Sequence, residues 1–263
     1  MMKLQALLFD VDGTIVDTEE LHRQAFNQAF LRFDLGWDWD RRLYAELLTV
    51  SGGVDRIARH IDQLPLPAAE KTRLRRSVPA IHEEKTRIYG ELLGGDSVRL
   101  RPGIGRLVDE ARLAGLAIGL AATSAAANVE ALASSAFGRG ARAAIGAIVS
   151  AELVARKKPA PDIYELLLAT LGVPAAACVA FEDSANGVLA AKAAGLFTVA
   201  TPSRWTAAQD FAAADLVLPT LADPGDALDP SLSVRLGGAP YLDLAQIEAL
   251  RATSRSRFVG ATA

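Results

Sequence analysis

The sequence predicts a doubly wound α/β fold, a parallel sheet of Rossmann-like type interrupted after its first strand by a helical insertion. Three observations carry this reading. From Pro102 to Ala200, short apolar runs alternate with helical patterns. The opening apolar run Leu7-Leu8-Phe9 ends in two carboxylates and a glycine, Asp10-Val11-Asp12-Gly13. Between Asp17 and Ser97 the texture changes to long polar and charged helical stretches.

The elements follow in order. Leu4 to Phe9 reads as a strand buried on both faces, and Gly13 permits the turn that lets Asp10 and Asp12 converge on one site. Glu19 to Phe33 places Leu21, Ala25, Phe26, Ala29 and Phe30 on one helical face. Further helices are expected at Asp40 to Leu48, Val54 to Ile61 and Ala68 to Tyr89, broken at Ser51-Gly52-Gly53, Pro65 and Pro67. The insertion is expected to end near Gly94-Gly95. The alternating units are then helix Ile104 to Ala114, strand Leu116 to Ala121, helix near Asn128 to Ala133, strand Ala144 to Val149 and helix Pro161 to Leu171. Strand Cys178 to Phe181, helix Asn186 to Ala194, strand Phe197 to Ala200 and an edge strand at Leu216 to Leu218 complete them. One helix, Leu242 to Ala252, is expected in the tail. The division expected is a core of residues 1–16 and 98–223, a helical insertion of 17–97, and an extension of 224–263 packed on or near the core.

Composition narrows the class. The 263 residues are 51% hydrophobic and carry 28 Lys and Arg against 31 Asp and Glu, a net charge of -3 without long single-sign runs. Neither nucleic acid nor a membrane surface is suggested as partner, and no apolar run is long enough to span a bilayer. The lone Cys178 lies in an apolar run and reads as a buried thiol, in keeping with a reducing, cytoplasmic setting. A monomer is expected. Trp37 and Trp39, between insertion helices, read as packing anchors.

Ligands of open α/β sheets sit at the carboxyl ends of the strands. There the sequence places Asp10 and Asp12, then Thr123-Ser124, then Lys157-Lys158-Pro159, then Glu182-Asp183-Ser184. Carboxylates from two strand ends form an oxygen-rich site for Mg²⁺, which commonly partners a phosphate. Each group alone has a plainer reading: Asp183-Ser184 and Thr123-Ser124 as helix caps, Lys158 as a solvated loop lysine. Their order, each at a different strand end, favours a site.

Asp10-Val11-Asp12-Gly13-Thr14, Lys158-Pro159-Ala160-Pro161-Asp162 and Glu182-Asp183-Ser184-Ala185-Asn186-Gly187 resemble the motifs of the haloacid dehalogenase (HAD) superfamily of phosphohydrolases. The insertion is similar to that family's C1 cap. Asp17-Thr18-Glu19-Glu20-Leu21-His22, Tyr44-Ala45-Glu46-Leu47-Leu48, Ser51-Gly52-Gly53, Ile81-His82-Glu83-Glu84-Lys85-Thr86 and Leu100-Arg101-Pro102-Gly103 resemble the CbbY-type phosphatases, which act on xylulose 1,5-bisphosphate in Calvin-cycle organisms. The resemblance implies that Asp10 is the nucleophile and Asp12 the general acid and base. It also implies Mg²⁺ held by the Asp10 carboxylate, the Asp12 backbone carbonyl and Asp183, with Glu182 direct or through water, and Lys158 as a second positive charge. Asp12 favours phosphoryl transfer over carbon-halogen cleavage. Glu19 and His22, three apart on a helix, would contact sugar hydroxyls, with Tyr44 beside them and Lys85 at a distal phosphate.

Two positions depart from the pattern. The loop after Gly52-Gly53 usually offers a base to the second phosphate, and Val54 stands there, with Arg56 two residues on. Ala122 stands where a hydroxyl is usual, so Thr123, or Ser124, is expected to supply that donor. Two alternatives stay open: a phosphomutase of the β-phosphoglucomutase kind, and a non-catalytic binding protein on the same scaffold.

Overall fold

The computed structural model describes residues 2–93 and 98–259. The expected end of the insertion, at Gly94-Gly95, lies outside the described residues. The elements in order are β1 (Ala6–Phe9), α1 (Glu19–Arg32), α2 (Arg41–Leu47), α3 (Gly53–Gln63), α4 (Ala68–Leu92), α5 (Ile104–Leu113), β2 (Ala117–Ala122) and α6 (Ala126–Arg142). They continue as β3 (Ile145–Ser150), α7 (Asp162–Leu171), β4 (Cys178–Glu182), α8 (Ala185–Ala193), β5 (Phe197–Ala200), β6 (Leu216–Val217), α9 (Pro230–Ser233) and α10 (Leu244–Val259).

The six strands form one sheet in the order β3-β2-β1-β4-β5-β6, with every pairing parallel. The order reverses at β1, so the crevice between the carboxyl ends of β1 and β4 is the topological switch point of a Rossmann-like sheet. β1 is buried along its whole length. Phe9 lies opposite Leu120 on β2 and Phe181 on β4, and the Phe9 and Phe181 rings stack 4.6 Å apart. Apolar side chains on both faces of the central strand explain the unbroken apolar run read from the sequence.

The helices α1 to α4 stand between β1 and α5 in the chain. Ala25, Phe26, Ala29 and Phe30 form the buried face of α1, and Val78, Ile81 and Ile88 the buried face of α4, all in one continuous apolar core. Trp39 is fully buried with its ring 4.7 Å from those of Phe26 and Phe30, the anchoring role its sequence position suggests. The Asp40 carboxylate caps α2 by accepting from the Leu43 amide at 2.7 Å. The two strands of chain leading in and out of these helices meet where Val16 pairs with Leu100 and the Arg101 amide donates to the Ile15 carbonyl at 2.8 Å.

Some boundaries differ from expectation. The helix expected near Asn128 to Ala133 runs from Ala126 to Arg142; alanine, the strongest helix former, recurs along it. The tail holds α9 in addition to α10; the Asp229 side chain caps this short helix at the Ser231 amide. Leu242 and Ile247 are fully buried in the main core. Burial pushes the Cys178 thiol up to about 11, so it stays protonated. Among the described residues no helix is long and apolar enough to cross a membrane.

Candidate active site

Asp10, Asp12, Thr123 and Asp183 lie just past strand ends, Glu182 closes β4 and Lys158 sits in the chain that follows β3, and the parallel order brings them to one edge of the sheet. Asp10 follows β1 directly. Its carboxylate accepts from Lys158 Nζ at 2.7 Å and from Thr14 Oγ1 at 3.0 Å. Lys158 also donates to Glu182 Oε1 at 2.5 Å and to the Ala121 carbonyl at 3.1 Å, so one ammonium ties the ends of β1, β2 and β4 together. Tyr164 on α7 donates to the same Glu182 oxygen at 2.5 Å. Asp183 accepts from Thr206 Oγ1 at 3.2 Å.

Two glycines make this density possible. A Cβ on Gly187 would lie 1.8 Å from Glu182 Oε2, and one on Gly13 would lie 2.2 Å from Asp183 Oδ2. Gly13 also has φ 88°, where an L side chain is strained.

The electrostatics follow from burial. Burial raises Asp10, with Lys158 partly opposing it. Burial likewise raises Glu182, to about 7, and raises Asp183 well above its ordinary value with help from Asp10 and Glu182. Lys158 is raised too: burial works against its ammonium, but the carboxylates of Asp10 and Glu182 outweigh that. Three carboxylates thus face one ammonium.

The residues fit a hard divalent cation. Asp10, Glu182 and Asp183 each offer one oxygen, all within 4.8 Å of one another. Glu182 Oε2 is buried without a hydrogen-bond partner, an arrangement that costs free energy unless something else compensates. An all-oxygen donor set with excess negative charge suits Mg²⁺ better than a softer metal. Asp12 differs: its carboxylate is not in this cluster, so any part it has as a ligand falls to its backbone carbonyl.

The Asp12 carboxylate is held instead by groups at and on the inserted helices and by one from the loop after β2. Thr18 Oγ1 donates at 2.5 Å, Tyr89 OH at 3.1 Å and Ser124 Oγ to the other oxygen, while His22 Nε2 stands 3.1 Å away. His22 Nδ1 lies 2.6 Å from Lys85 Nζ, which assigns the ring proton to Nε2 and lets Nδ1 accept from the ammonium. Burial opposes the charge on Asp12, but His22, Ser124 and Thr18 outweigh it and hold the carboxyl well below its usual range. Burial and Lys85 push His22 down, and burial pushes Lys85 down to about 7.

Two small adjoining cavities open over these groups. Asp12, Glu19, Gly52, Arg56 and Thr123 line both. Gly53, His22, Lys85, Ser124 and His82 line the first, and Lys158, Asp183 and Asn186 the second. Tyr44 does not line either cavity. It is fully buried behind Glu19, to which its hydroxyl donates at 2.7 Å, and it receives a hydrogen bond from Arg56 at 3.1 Å. Tyr44, expected among the ligand-binding residues, thus borders the cavities only through its partners Glu19 and Arg56.

Both departures from the motif pattern acquire a geometry. Val54 is exposed while Arg56 faces the cavities, with its guanidinium over the Tyr44 ring at 5.3 Å. Ala122 is the buried last residue of β2, and Thr123, the first residue beyond it, borders both cavities. The Ser124 hydroxyl is committed to Asp12.

Several partners escaped sequence reasoning. Thr18, Tyr89, Tyr164 and Thr206 each bond a site carboxylate, and His82 lines the first cavity, where burial and its cationic neighbours push it down to about 4. One signal was available for two of them: His82, Lys85 and Tyr89 share a face of α4 at helical spacing.

An Asp–Lys pair and an acidic triad at the switch point, under a polar cavity, define a hydrolase site for an anionic ester. The family model for haloacid dehalogenase-like hydrolase matches residues 4–195, and the chain belongs to that family. Protein CbbY of Cupriavidus necator is 42% identical over 259 residues, covering 98% of this chain and all of that protein. The crystal structure of CbbY from Rhodobacter sphaeroides with phosphate superimposes with a TM-score of 0.76 at 44% identity, over 84% of this chain and 96% of that one. A mutant of the same protein in complex with xylulose 1,5-bisphosphate gives a TM-score of 0.76 at 43% identity, with the same coverage. The chain is accordingly a phosphatase of the haloacid dehalogenase type, similar to the CbbY proteins.

Proposed function

We propose that this chain is a Mg²⁺-dependent sugar bisphosphate phosphatase that converts xylulose 1,5-bisphosphate to xylulose 5-phosphate through an aspartyl-phosphate on Asp10. The observation that carries the reading is the buried Asp10–Lys158–Glu182 arrangement beside Asp183, where Lys158 and Asp183 line a cavity with Arg56, next to a second cavity lined by Arg56, His82 and Lys85. The ligand bound by the similar Rhodobacter protein supports the substrate. In this reading residues 17–97 form a cap over a core of 1–16 and 98–223, with 224–263 as an extension.

Asp10 attacks phosphorus in line, opposite the leaving sugar oxygen, with Lys158 fixing the carboxylate rotamer and adding positive charge beside the transferring group. Asp12 protonates the leaving oxygen. The negative phosphate arriving next to Asp12 opposes its charge and favours the protonated form for this step. Its donors then favour the carboxylate, the form that takes a proton from the attacking water. Asp10, Asp183 and the Asp12 carbonyl would hold Mg²⁺, with Glu182 alongside. When bound, the ion supplies charge that offsets repulsion between the carboxylate and the phosphate. Thr123 donates to a phosphoryl oxygen, Glu19 and His22 select sugar hydroxyls, and Arg56 and Lys85 receive the distal phosphate beside Gly52 and Gly53.

The test is phosphate release from a sugar-phosphate panel containing xylulose and ribulose 1,5-bisphosphates, with Mg²⁺ and with chelator. Mg²⁺-dependent release that favours xylulose 1,5-bisphosphate is expected. Conversion of β-glucose 1-phosphate to glucose 6-phosphate would make the protein a phosphomutase instead, and no release from any substrate would make it a binding protein.

A further inference from the structure

Arg101 belongs to the segment Leu100-Arg101-Pro102-Gly103, and its side chain has no part in the chemistry above. Its guanidinium collects carbonyls from three separate loops. Nη1 donates to the Gly13 carbonyl, to the Thr201 carbonyl at 2.7 Å and to Thr201 Oγ1 at 3.2 Å. Nη2 donates to the Pro202 carbonyl at 3.2 Å and to the Pro219 carbonyl at 3.0 Å.

The Gly13 turn follows the proposed ligands Asp10 and Asp12, and the loop beginning at Thr201 hydrogen-bonds Glu182 and Asp183. Gly13 follows Asp12, so fixing the Gly13 carbonyl fixes the turn that presents the Asp12 peptide. On its other side Gly13 abuts Asp183 too closely to admit a Cβ. The loop from Thr201 to Thr206 begins with the Thr201 amide donating to the Glu182 carbonyl at 2.7 Å and ends with Thr206 donating to Asp183 at 3.2 Å. Ser203 and Thr206 are bonded to each other at 3.1 Å, which makes that loop a stiff bracket. Arg101 is thus the one side chain, among the described residues, that hydrogen-bonds both the Gly13 turn and this bracket.

We propose that Arg101 is a positioning residue that sets the separation between the Asp12 turn and Asp183, and so tunes cation affinity at the acidic triad. The inference rests on the metal site of the proposed function. A planar fork with several donors can serve three loops together; a lysine ammonium on a single stem cannot. Substitution of groups that orient metal ligands typically costs about 10–100-fold in affinity or activity.

Arg106 supplies a matched control. It donates to the carbonyls of Ala222 at 2.9 Å and Leu242 at 3.0 Å, bonds of the same type that touch no site residue. Titration calorimetry with Mg²⁺ alone is run on the wild type, R101K, R101M, R106M and T206V, with thermal melts and steady-state kinetics alongside. R101K and R101M are expected to weaken Mg²⁺ binding by about 10–100-fold and to lower kcat, with KM for the sugar phosphate within about threefold. R106M is expected to lose thermal stability and keep its Mg²⁺ affinity. T206V is expected to weaken Mg²⁺, and its effect should fail to add to that of R101K, since both act through one bracket. The proposal is overturned if R101K and T206V bind Mg²⁺ within about twofold of the wild type, or if R106M weakens binding as much as they do. A wild type that binds no Mg²⁺ overturns the metal reading itself and this inference with it, and is distinguished by appearing before any substitution.

Discussion

Lys158 donates to Asp10 at 2.7 Å with both side chains buried, and the same nitrogen reaches Glu182 at 2.5 Å. A buried ion pair of this kind is weak evidence of stabilisation, because the desolvation cost rivals the attraction. Its position at a sheet end fits instead the proposed role of Lys158, holding the nucleophile and offsetting phosphate charge.

Lys158→Met is therefore expected to lower kcat by about 10²–10³-fold or more while the circular dichroism spectrum is retained. The fold survives because burial already raises Asp10 and Glu182, so one of them takes up a proton when the ammonium is gone. A variant with near-normal kcat would remove Lys158 from the site.

Gly187→Ala sets two effects against each other. Alanine favours helix over glycine by about 1 kcal/mol. The new Cβ, however, would lie 1.8 Å from Glu182 Oε2, and that carboxylate cannot swing aside because Lys158 and Tyr164 hold its other oxygen in a fully buried place. Overpacking of this kind costs about 1–3 kcal/mol and prevails. The expected outcome is lower thermal stability together with lost phosphatase activity, read from melts and phosphate release on the same sample.

Lys85 gives a pH dependence with a definite sign. Its folded pKa of about 7 lies below the ordinary 10.5. Between those values the unfolded chain binds a proton that the folded chain does not, so this group's contribution to stability rises with pH across that window. Below pH 7 its destabilising effect is complete. Denaturant unfolding of the wild type and Lys85→Met at pH 6.5, 8 and 10 measures it: the difference is expected to move in the wild type's favour as pH rises. A difference that stays constant would show that Lys85 remains charged when buried.

The parts legible in the sequence were those that topology brings together. Asp10, Asp12, Thr123, Lys158 and Asp183 each follow a strand and Glu182 ends one, and a parallel sheet delivers strand ends to one edge whatever the intervening chain does. Lys85 and His22 were legible from the family resemblance, and Arg56 from its place beside Val54. Tyr89 was not, because it meets Asp12 across 77 residues and only the packing of α4 on α1 sets that distance. Tyr164 and Thr206 were hidden for the same reason: a hydroxyl in an apolar helix or a small loop gives no sign of which carboxylate it will find. Tyr44, put beside Glu19 by the family resemblance, does bond Glu19 but lies one layer behind the cavities, because a motif match names a residue without fixing its depth.

The central claim is that Asp10 forms a bond to phosphorus. Asp10→Asn keeps the size and leaves an oxygen to accept from Lys158 while removing the anionic nucleophile, so the measurement is phosphate release from xylulose 1,5-bisphosphate with Mg²⁺ present, wild type against this variant. A loss of at least about a thousandfold in kcat is expected with KM little changed, as for removal of a nucleophile elsewhere. A variant that retains more than about a tenth of the wild-type rate would contradict it.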